Sequence, residues 1–336
     1  MLCNMFDDSE RKKVLLIINP ISGTLPKDGL AKRVRDYLAP HGMDVEAVET
    51  QGPGDGFRLA SMAVEKRYYA VIAAGGDGTV NEIASALRAT PVALGILPYG
   101  SGNGLARHIA LSIDTMHSLK IIAKDHVEAC DYGTANDIPF FCTFGVGFDA
   151  IVTGDYSKMP SRGLAAYARS VLKEYLTYSP TEYEISTGGT SIRVKAFILA
   201  VCNASQYGNN AFIAPSASIR DGLLDITIIH KGNKLTRALA GVEMFTGRID
   251  KNILIQTLRV RNAMIRMVPG PAHIDGEPRE MPDIIRVECH PGQLRLFTDP
   301  DKPRFKPFVT PLRSIQFDAL YTAKELFRQF LMKFRR

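Results

Sequence analysis

The chain has 336 residues, and a prior of about 150 residues per domain predicts two domains. Its 46% hydrophobic and 23% charged residues are typical of a globular protein and exclude a disordered or low-complexity chain. A net charge of +6 is too small at this length to indicate nucleic-acid binding, although it is compatible with an anionic membrane surface or a phosphorylated substrate.

The cysteines and the N-terminus indicate the compartment. The five cysteines are odd in number and widely spaced, so they predict neither a disulfide framework nor a zinc site, but buried thiols in a reducing compartment. Residues 1–11 are partly acidic and carry no long apolar stretch, which argues against a secretory signal. No run reaches the ~18 apolar residues of a membrane span. We therefore expect a cytoplasmic protein.

The first third of the chain alternates short apolar runs with helical patterns. The predicted strands are Val14–Ile18, Met43–Val48, Tyr69–Ala73 and Val92–Leu97. The predicted helices follow them, at Leu30–Leu38, Asp55–Arg67, Thr79–Leu87 and Leu105–Ile122. Strand and helix alternating at this pace predict a parallel sheet covered by helices.

After about residue 125 the hydrophobic period changes to two. Ile192, Val194, Ala196 and Ile198 alternate with charged residues, and the stretches 258–261 and 285–290 do the same. Such a pattern predicts half-buried antiparallel strands in a β-sandwich or mixed β domain. Two helical insertions are expected within it, at Leu164–Tyr178 and Leu235–Phe245.

The last segment, Phe317–Arg336, has the pattern of an amphipathic helix. Its apolar face would carry Phe317, Leu320, Tyr321, Phe327, Phe330, Leu331 and Phe334, opposite Lys324, Arg328 and Lys333. Docking on the first domain is the interpretation we favour. A helix lying in the membrane interface is the alternative, because phenylalanine-rich and basic faces suit headgroup depth.

The stretch AAGGDGTVNE, residues 73–82, lies between a predicted strand and a predicted helix. Gly75, Gly76 and Gly78 remove the side chains that would block a ligand, and the N–H groups at the helix start attract an anion such as phosphate. Asp77 is an unusual neighbour for phosphate unless it binds a metal, a hydroxyl or ordered water. A tight turn with glycines chosen for geometry is the alternative.

Two further loops have the same character. PYGSGNG, residues 98–104, and NPISG, residues 19–23, each follow a predicted strand. In an open parallel sheet, ligands bind beyond the carboxyl ends of the strands. The three loops are therefore expected to converge on one cleft.

The ordered set of these three loops is similar to the diacylglycerol and sphingosine kinase family of lipid kinases. The resemblance continues through FGVGFDA (144–150), DGLLDI (221–226) and IDGEP (274–278), so it covers nearly the whole chain. The GGDGT stretch alone is shared with NAD kinases and resembles a phosphofructokinase loop, whereas the complete ordered set is specific.

The resemblance implies a nucleotide-binding α/β domain like that of NAD kinase and diacylglycerol kinase (residues 1–125), an antiparallel β-sandwich domain for the lipid substrate (126–312) and the C-terminal helix (313–336), with ATP between the two domains. It implies nucleotide contacts at Asn19, Ser22, Thr50, Gly75, Gly76, Asp77, Gly78, Thr79, Val80, Asn81, Glu82, Ser101, Gly102, Asn103 and Glu277.

Phosphoryl transfer needs a held phosphate, a divalent cation and a group that accepts the proton of the attacking hydroxyl. The resemblance places Asp275 as proton acceptor, with Asp77 as its rival or as a partner holding metal-bound water. By local pattern alone, Asp275-Gly276 is a common hairpin turn. The resemblance also implies a structural Mg²⁺ at Asp221 with the carbonyls of Ser218 and Leu223, where the local pattern predicts only a turn into a strand.

Substrate residues are carried over in the same way. Asp149 would contact the lipid headgroup, and Arg107 would either reach phosphate or form a structural ion pair. Residues 101–106 resemble sphingosine kinases and lack the acidic residue after Asn103 found in bacterial diacylglycerol kinases, which slightly favours a sphingoid base.

These inferences predict an ATP- and Mg²⁺-dependent lipid kinase that contacts the membrane surface peripherally and does not bind nucleic acid. A homodimer is compatible with the sequence. The alternatives are a soluble NAD or sugar kinase that shares the GGDG loop, and a non-catalytic nucleotide-binding regulator.

Overall fold

The computed structural model of the protein describes residues 11–23, 25–157, 175, 177–301 and 306–333. The chain forms two compact units, Met1–Ala129 with Leu294–Arg336, and Cys130–Gln293. The first boundary lies close to the expected one at residue 125. The second differs from the expected boundary at 312, because the end of a long strand pairs in parallel with the first unit's sheet at Leu296 and Leu94.

The first unit is built on a parallel sheet with helices between its strands. In chain order its strands and helices are β1 (Lys12–Ile18), α1 (Leu30–Leu38), β2 (Met43–Glu49), α2 (Asp55–Glu65), β3 (Ala70–Gly75), α3 (Asp77–Leu87), β4 (Ala93–Pro98), α4 (Gly104–His108) and α5 (Thr115–Ala123). The strands lie in the order β4-β3-β1-β2. All four predicted strands are present, and their ends lie within two residues of the predicted ends.

The core of the first unit explains why the apolar runs become central strands. Every residue of β3 and β4 is buried, and so are the last five residues of β1. From α1, Leu30, Val34 and Leu38 pack into the same core. Continuous burial is typical of parallel strands that are covered by helices on both faces.

One predicted helix is interrupted. The pattern over 105–122 corresponds to two helices, α4 and α5, separated by residues 109–114. Ala110 has a positive φ of 65°, which ends the first helix. Asp114 then caps the second helix by accepting a hydrogen bond from the N–H of Met116 at 2.9 Å. Hydrophobic period alone did not reveal this break.

The second unit is an antiparallel β-sandwich domain. Its strands and helices are β5 (Val127–Ala135), β6 (Ile138–Phe140), β7 (Thr143–Gly147), α6 (Phe148–Ser157), β8 (Thr181–Thr187), β9 (Thr190–Cys202), β10 (Leu224–His230), α7 (Lys234–Thr246), β11 (Ile255–Val260), β12 (Asn262–Arg266), β13 (Gly270–Ile274), β14 (Glu277–Met281) and β15 (Ile284–Phe297). β5 begins in the first unit and β15 ends there.

Strand pairing in the second unit follows the order β14-β13-β7-β9-β8-β12-β15, with β10 between β9 and β11 and β5 between β6 and β15. Burial alternates in β15 from residue 284 to 289 as predicted. In β9 it alternates only over residues 192–195, and residues 196–202 are all buried. This buried half of β9 pairs with both β7 and β10, so it is an inner strand.

Two expected segments need comment. The first predicted insertion, Leu164–Tyr178, lies largely outside the described residues, whereas the second corresponds to α7. The C-terminal helix, α8 (Val309–Lys333), begins eight residues before the predicted start at Phe317. No helix among the described residues is long and apolar enough to cross a membrane. Among the described residues, Cys130, Cys142, Cys202 and Cys289 are buried and form no disulfide.

Candidate active site

The strand register of the first unit brings the three predicted loops to one edge of the sheet. Ile18 at the end of β1 pairs with Ala74 of β3, and Gly75 pairs with Pro98 at the end of β4. The loops that begin at residues 19, 76 and 99 therefore start side by side. On the other side of β1, the N–H of Thr50 donates to the carbonyl of Ile18 at 2.8 Å, which places Thr50 at the same edge.

The two longer glycine loops touch through their backbones. A Cβ atom added to Gly100 would lie 2.6 Å from the Cα of Gly76 and 2.8 Å from Oδ1 of Asn103. No side chain fits in that space, so glycine at position 100 is required by close approach. Asn103 closes its own loop by donating to the carbonyl of Gly100 at 2.6 Å and accepting from its N–H at 2.9 Å.

Asp77 joins the same two loops electrostatically. Its Oδ2 accepts a hydrogen bond from the N–H of Asn103 at 2.7 Å, and its Oδ1 accepts one from the N–H of Gly104 at 2.6 Å. Hydrogen bonds to an ionised carboxylate are among the stronger ones in proteins. From the sequence, Asp77 has two possible roles, catalysis and metal binding. In the structure its carboxylate holds the loop after β4 against the loop after β3.

The loop after β1 is held by Asn19 and packed against the loop after β4. The side-chain amide of Asn19 donates to Oγ1 of Thr79 at 2.9 Å, which ties the loop to the first turn of α3. Gly23 has a φ of 65°, and a Cβ there would overlap the carbonyl oxygen of Tyr99. Ser22 donates to the carbonyl of Asn19 at 3.1 Å. All three predicted loops are therefore in contact.

Lys27 is a residue of this loop region that sequence reasoning missed. Its ammonium donates to the carbonyl of Ser22 and lies 4.9 Å from the ring centre of Tyr99. Burial lowers the pKa of this lysine. The signal that could have identified it is a single cation shortly after the loop at residues 19–23, next to a predicted phosphate site.

Glu82 links α3 to a second helix start. Its Oε1 accepts from the N–H of Gly54 at 2.8 Å and its Oε2 from the N–H of Gly56 at 3.0 Å. These donors lie at the N-terminus of α2, which has no capping side chain of its own. The geometry gives Glu82 a capping role within the predicted nucleotide site.

The N-terminus of α3 is the anion-attracting feature of the loop cluster. Its N-cap residue, Gly76, offers no side chain to the first-turn N–H groups. Such groups have no partner within the helix, and they carry the positive end of its dipole. Gly78 and Asn81 lie in the first turn and a half, partly exposed, while Thr79 and Val80 are buried. Ser101 is exposed at the tip of the facing loop, next to Gly102.

Arg107 forms the ion pair that the sequence left as one of two alternatives. Its Nη2 donates to Oδ2 of Asp318 at 2.6 Å, its Nη1 to Oγ of Ser314 at 2.9 Å and its Nε to the carbonyl of Gly102 at 3.0 Å. The arginine side chain is only 8% exposed. It therefore connects α8 to the second glycine loop.

In the second unit, Asp275 occupies a tight turn and accepts several backbone N–H groups. Its Oδ1 accepts from Cys142 at 2.8 Å and from Thr143 at 2.9 Å, and its Oδ2 accepts from Phe141 at 2.9 Å. Asp275 and Gly276 have positive φ angles of 48° and 84° between β13 and β14, as the hairpin pattern predicts. Glu277 begins β14 and is exposed.

Asp149 lies in the first turn of α6 and is bonded to two polar side chains that sequence reasoning missed. Its Oδ2 accepts from the hydroxyl of Tyr207 at 2.6 Å and lies 3.1 Å from Nε2 of His273. His273 is 2% exposed. A Cβ on Gly145 would collide with both His273 and Asp149, so the first glycine of FGVG makes room for this cluster. His273 could have been suspected from its place in HIDGEP.

The residues carried over for a structural Mg²⁺ have a different arrangement. Asp221 accepts from the N–H of Leu223 at 3.2 Å and is paired with the guanidinium of Arg259, which also lies 3.2 Å from Oδ1 of Asp225. Within the described part of the chain, no group of three or more acidic, histidine or cysteine side chains could hold a metal. The carried-over residues Ser218, Asp221 and Leu223 offer one carboxylate, and that carboxylate is already paired with the guanidinium of Arg259.

We expect Gly100→Ala to weaken ATP binding by about tenfold or more, because its Cβ must push the two loops apart. Isothermal titration with ATP measures this effect. Gly241→Ala is the matched control, since no heavy atom lies within 4 Å of a Cβ at this helical position. An unchanged ATP affinity in Gly100→Ala would show that the loop contact is not needed for the nucleotide.

We expect chelation with EDTA to leave the melting temperature of the protein unchanged, because Arg259 supplies the positive charge at Asp221. Arg259→Met should lower the stability by about 1–2 kcal/mol, less than for a fully buried pair because this arginine is 47% exposed. Thermal unfolding measures both, with Arg193→Met as control, since its pair with Glu184 leaves the arginine 86% exposed. A fall in melting temperature on chelation would contradict this assignment.

Comparison with known proteins gives the same division of the chain. Residues 13–135 match the family model of the diacylglycerol kinase catalytic domain, and residues 142–298 match that of the YegS C-terminal NAD kinase beta sandwich-like domain. A probable lipid kinase YegS-like from Chromohalobacter salexigens is 32% identical over 84% of this chain and 91% of its own length. The protein of the same name from Yersinia enterocolitica is 30% identical over 73% of this chain and 83% of its own length.

Solved structures agree on the fold. A putative diacylglycerol kinase from Bacillus anthracis superposes with a TM-score of 0.71 at 22% identity, covering 86% of this chain and 98% of its own. Sequence identity over most of both chains, together with the two matched domains in the same order, leads to one conclusion: the chain belongs to the YegS-like family of lipid kinases, built on a diacylglycerol kinase catalytic domain.

Proposed function

We propose that the protein transfers the γ-phosphate of ATP to a hydroxyl group of a membrane lipid. The observation that carries this proposal is the contact between the Gly76 and Gly100 loops beside the uncapped N-terminus of α3. Backbone N–H groups at such a helix start bind phosphate, and the absent side chains let phosphate oxygens approach closely. Membership of a lipid kinase family directs the transfer to a lipid.

The first unit would hold the nucleotide. Asn19, Ser22 and Thr50 lie at the strand ends, Gly78 to Asn81 lie in the first turns of α3, and Ser101 to Asn103 form the facing loop. Asp77 and Glu82 contribute indirectly in this scheme, because their carboxylates fix the positions of neighbouring backbone N–H groups. We propose that Mg²⁺ enters with ATP as part of the substrate complex, offsetting phosphate charge.

The second unit would accept the proton of the attacking hydroxyl through Asp275. A general base must be held in a defined orientation towards the hydroxyl, and three backbone N–H groups donate to this carboxylate. The same donors fix its orientation. We assign Glu277, two residues further along the hairpin, to the nucleotide.

We propose a sphingoid base as the first acceptor to test and diacylglycerol as the second. The sequence of residues 101–106 supports a sphingoid base. The carboxylate of Asp149 supports it too, because it could pair with the cationic amine of such a base. Tyr207 and His273 already bond to this carboxylate, so its contact with the headgroup would be weaker than that of a carboxylate without such partners. The protein would meet its substrate by peripheral contact with the membrane surface.

Incubation with labelled ATP and a panel of mixed-micelle lipids tests the function. We expect labelled product with at least one of sphingoid base, diacylglycerol, ceramide or polyprenol, and no transfer to NAD or to a sugar. Transfer only to a soluble acceptor would replace the lipid assignment with that of a soluble kinase. ATP binding without transfer to any acceptor would favour a regulatory protein.

Substitutions of Asp275 and Asp77 should change different kinetic constants. Asp275→Asn should lower kcat by about 100-fold or more with little change in the KM for ATP, because it removes the proton acceptor. Asp77→Asn should mainly raise the KM for ATP, because the second loop loses its anchor. Glu280→Gln, an exposed carboxylate of the same hairpin, is the charge-matched control. A near-normal kcat in Asp275→Asn, in a variant that melts at a lower temperature, would make this residue purely structural.

A further inference from the structure

The C-terminal helix α8 differs from the rest of the protein in its relation to the family. Both matched family models end before it, the second at residue 298. The helix spans Val309–Lys333, and its side chains are described up to Glu325. The helix therefore lies outside both matched domains.

The inner face of α8 is polar and holds the helix to the first unit. Ser314 and Asp318 bind the guanidinium of Arg107, as described above. Pro311 is buried, and Tyr321 is half-buried with a pKa raised to about 12, mainly by loss of solvent. Glu325 follows on the same side, partly exposed. Within residues 309–325, the attachment of α8 thus includes an ion pair and hydrogen bonds to Arg107.

The outer face of α8 is apolar and exposed. We define it by five residues that all face solvent, namely Val309, Leu312, Ile315, Phe317 and Leu320. Leu312 is 64% exposed and Leu320 66%. This is the reverse of the usual amphipathic surface helix, which buries its apolar face and exposes its polar one. Exposed apolar side chains on one side of a helix indicate a site of interaction.

The charges on α8 are distributed unevenly around the helix. Arg313 and Lys324 are exposed, whereas the acidic residues between 309 and 325, Asp318 and Glu325, belong to the inner face. The sequence from 326 to 336 adds four basic residues and no acidic one. Between residues 309 and 325, the exposed charged side chains of α8 are thus both cations. Apolar and cationic side chains together complement an anionic lipid surface, whereas a second copy of the same face would be repelled.

We propose that the outer face of α8 lies on the anionic surface of a lipid bilayer, with its apolar side chains between the headgroups and Arg313 and Lys324 beside lipid phosphates. This proposal rests on the proposed function in that a lipid kinase must reach its substrate at such a surface. Arg107 then connects the bound helix to Gly102 in the second glycine loop, so one element contacts both the membrane and the nucleotide loop.

Flotation of the full-length protein with vesicles tests the proposal. We expect the wild type to float with vesicles of equal phosphatidylcholine and phosphatidylglycerol, less well with phosphatidylcholine alone, and less well as salt is raised. Leu312→Glu/Leu320→Glu should weaken binding to the anionic vesicles by about tenfold or more, through lost apolar insertion and added repulsion. Ile253→Glu/Val268→Glu is the control, with the same charge change at apolar residues that are even more exposed, 91% and 75%.

The outcomes separate this inference from the proposed function. Equal flotation of the α8 variant and the wild type would overturn the role of the outer face, as would a sedimentation result in which the variant only dissociates a dimer. Equal loss in both double variants would overturn it too, since it would mark a general charge effect. Selective loss in the α8 variant supports it, and transfer to a water-soluble short-chain lipid, measured in parallel, reports on the kinase assignment alone.

Discussion

The organisation of the candidate site depends on one close contact, the approach of the Gly76 and Gly100 backbones at the edge of the parallel sheet. Two loops can meet in this way only where neither residue has a side chain, and Asp77 then binds the backbone N–H groups of the facing loop. The contact fixes the backbone of both loops beside the start of α3. Loops that are ordered before binding lose little further conformational entropy when a ligand binds.

Carboxylates recur in this protein as partners of backbone N–H groups. Asp77 binds the start of α4, Glu82 the start of α2, and Asp275 the segment 141–143. Each stabilises a bend of the chain whose donors would otherwise need water. Residues that look like catalytic acids in the sequence therefore also stabilise the structure. For this reason substitution experiments must measure stability together with kinetics.

Arginines have the complementary role. Arg259 lies between Asp221 and Asp225, and Arg107 lies between Asp318 and the second glycine loop. In both cases a planar guanidinium with several donors joins segments that are far apart in the sequence. Arg107 is the more consequential of the two, since it joins the second glycine loop to a helix that the matched family domains do not include.

The sequence by itself determined the fold class, the strands of the parallel sheet and the three glycine loops, because hydrophobic period and glycine placement act over short distances. It also indicated the family through the order of those loops. The tertiary structure decided what the polar residues do: that Glu82 caps α2, that Arg107 pairs with Asp318, that Asp149 is bonded to Tyr207 and His273, and that the outer face of α8 is apolar. These partners are separated by 26 to 211 positions in the chain. Local pattern cannot supply such pairings, since each depends on where the whole backbone brings two polar groups together.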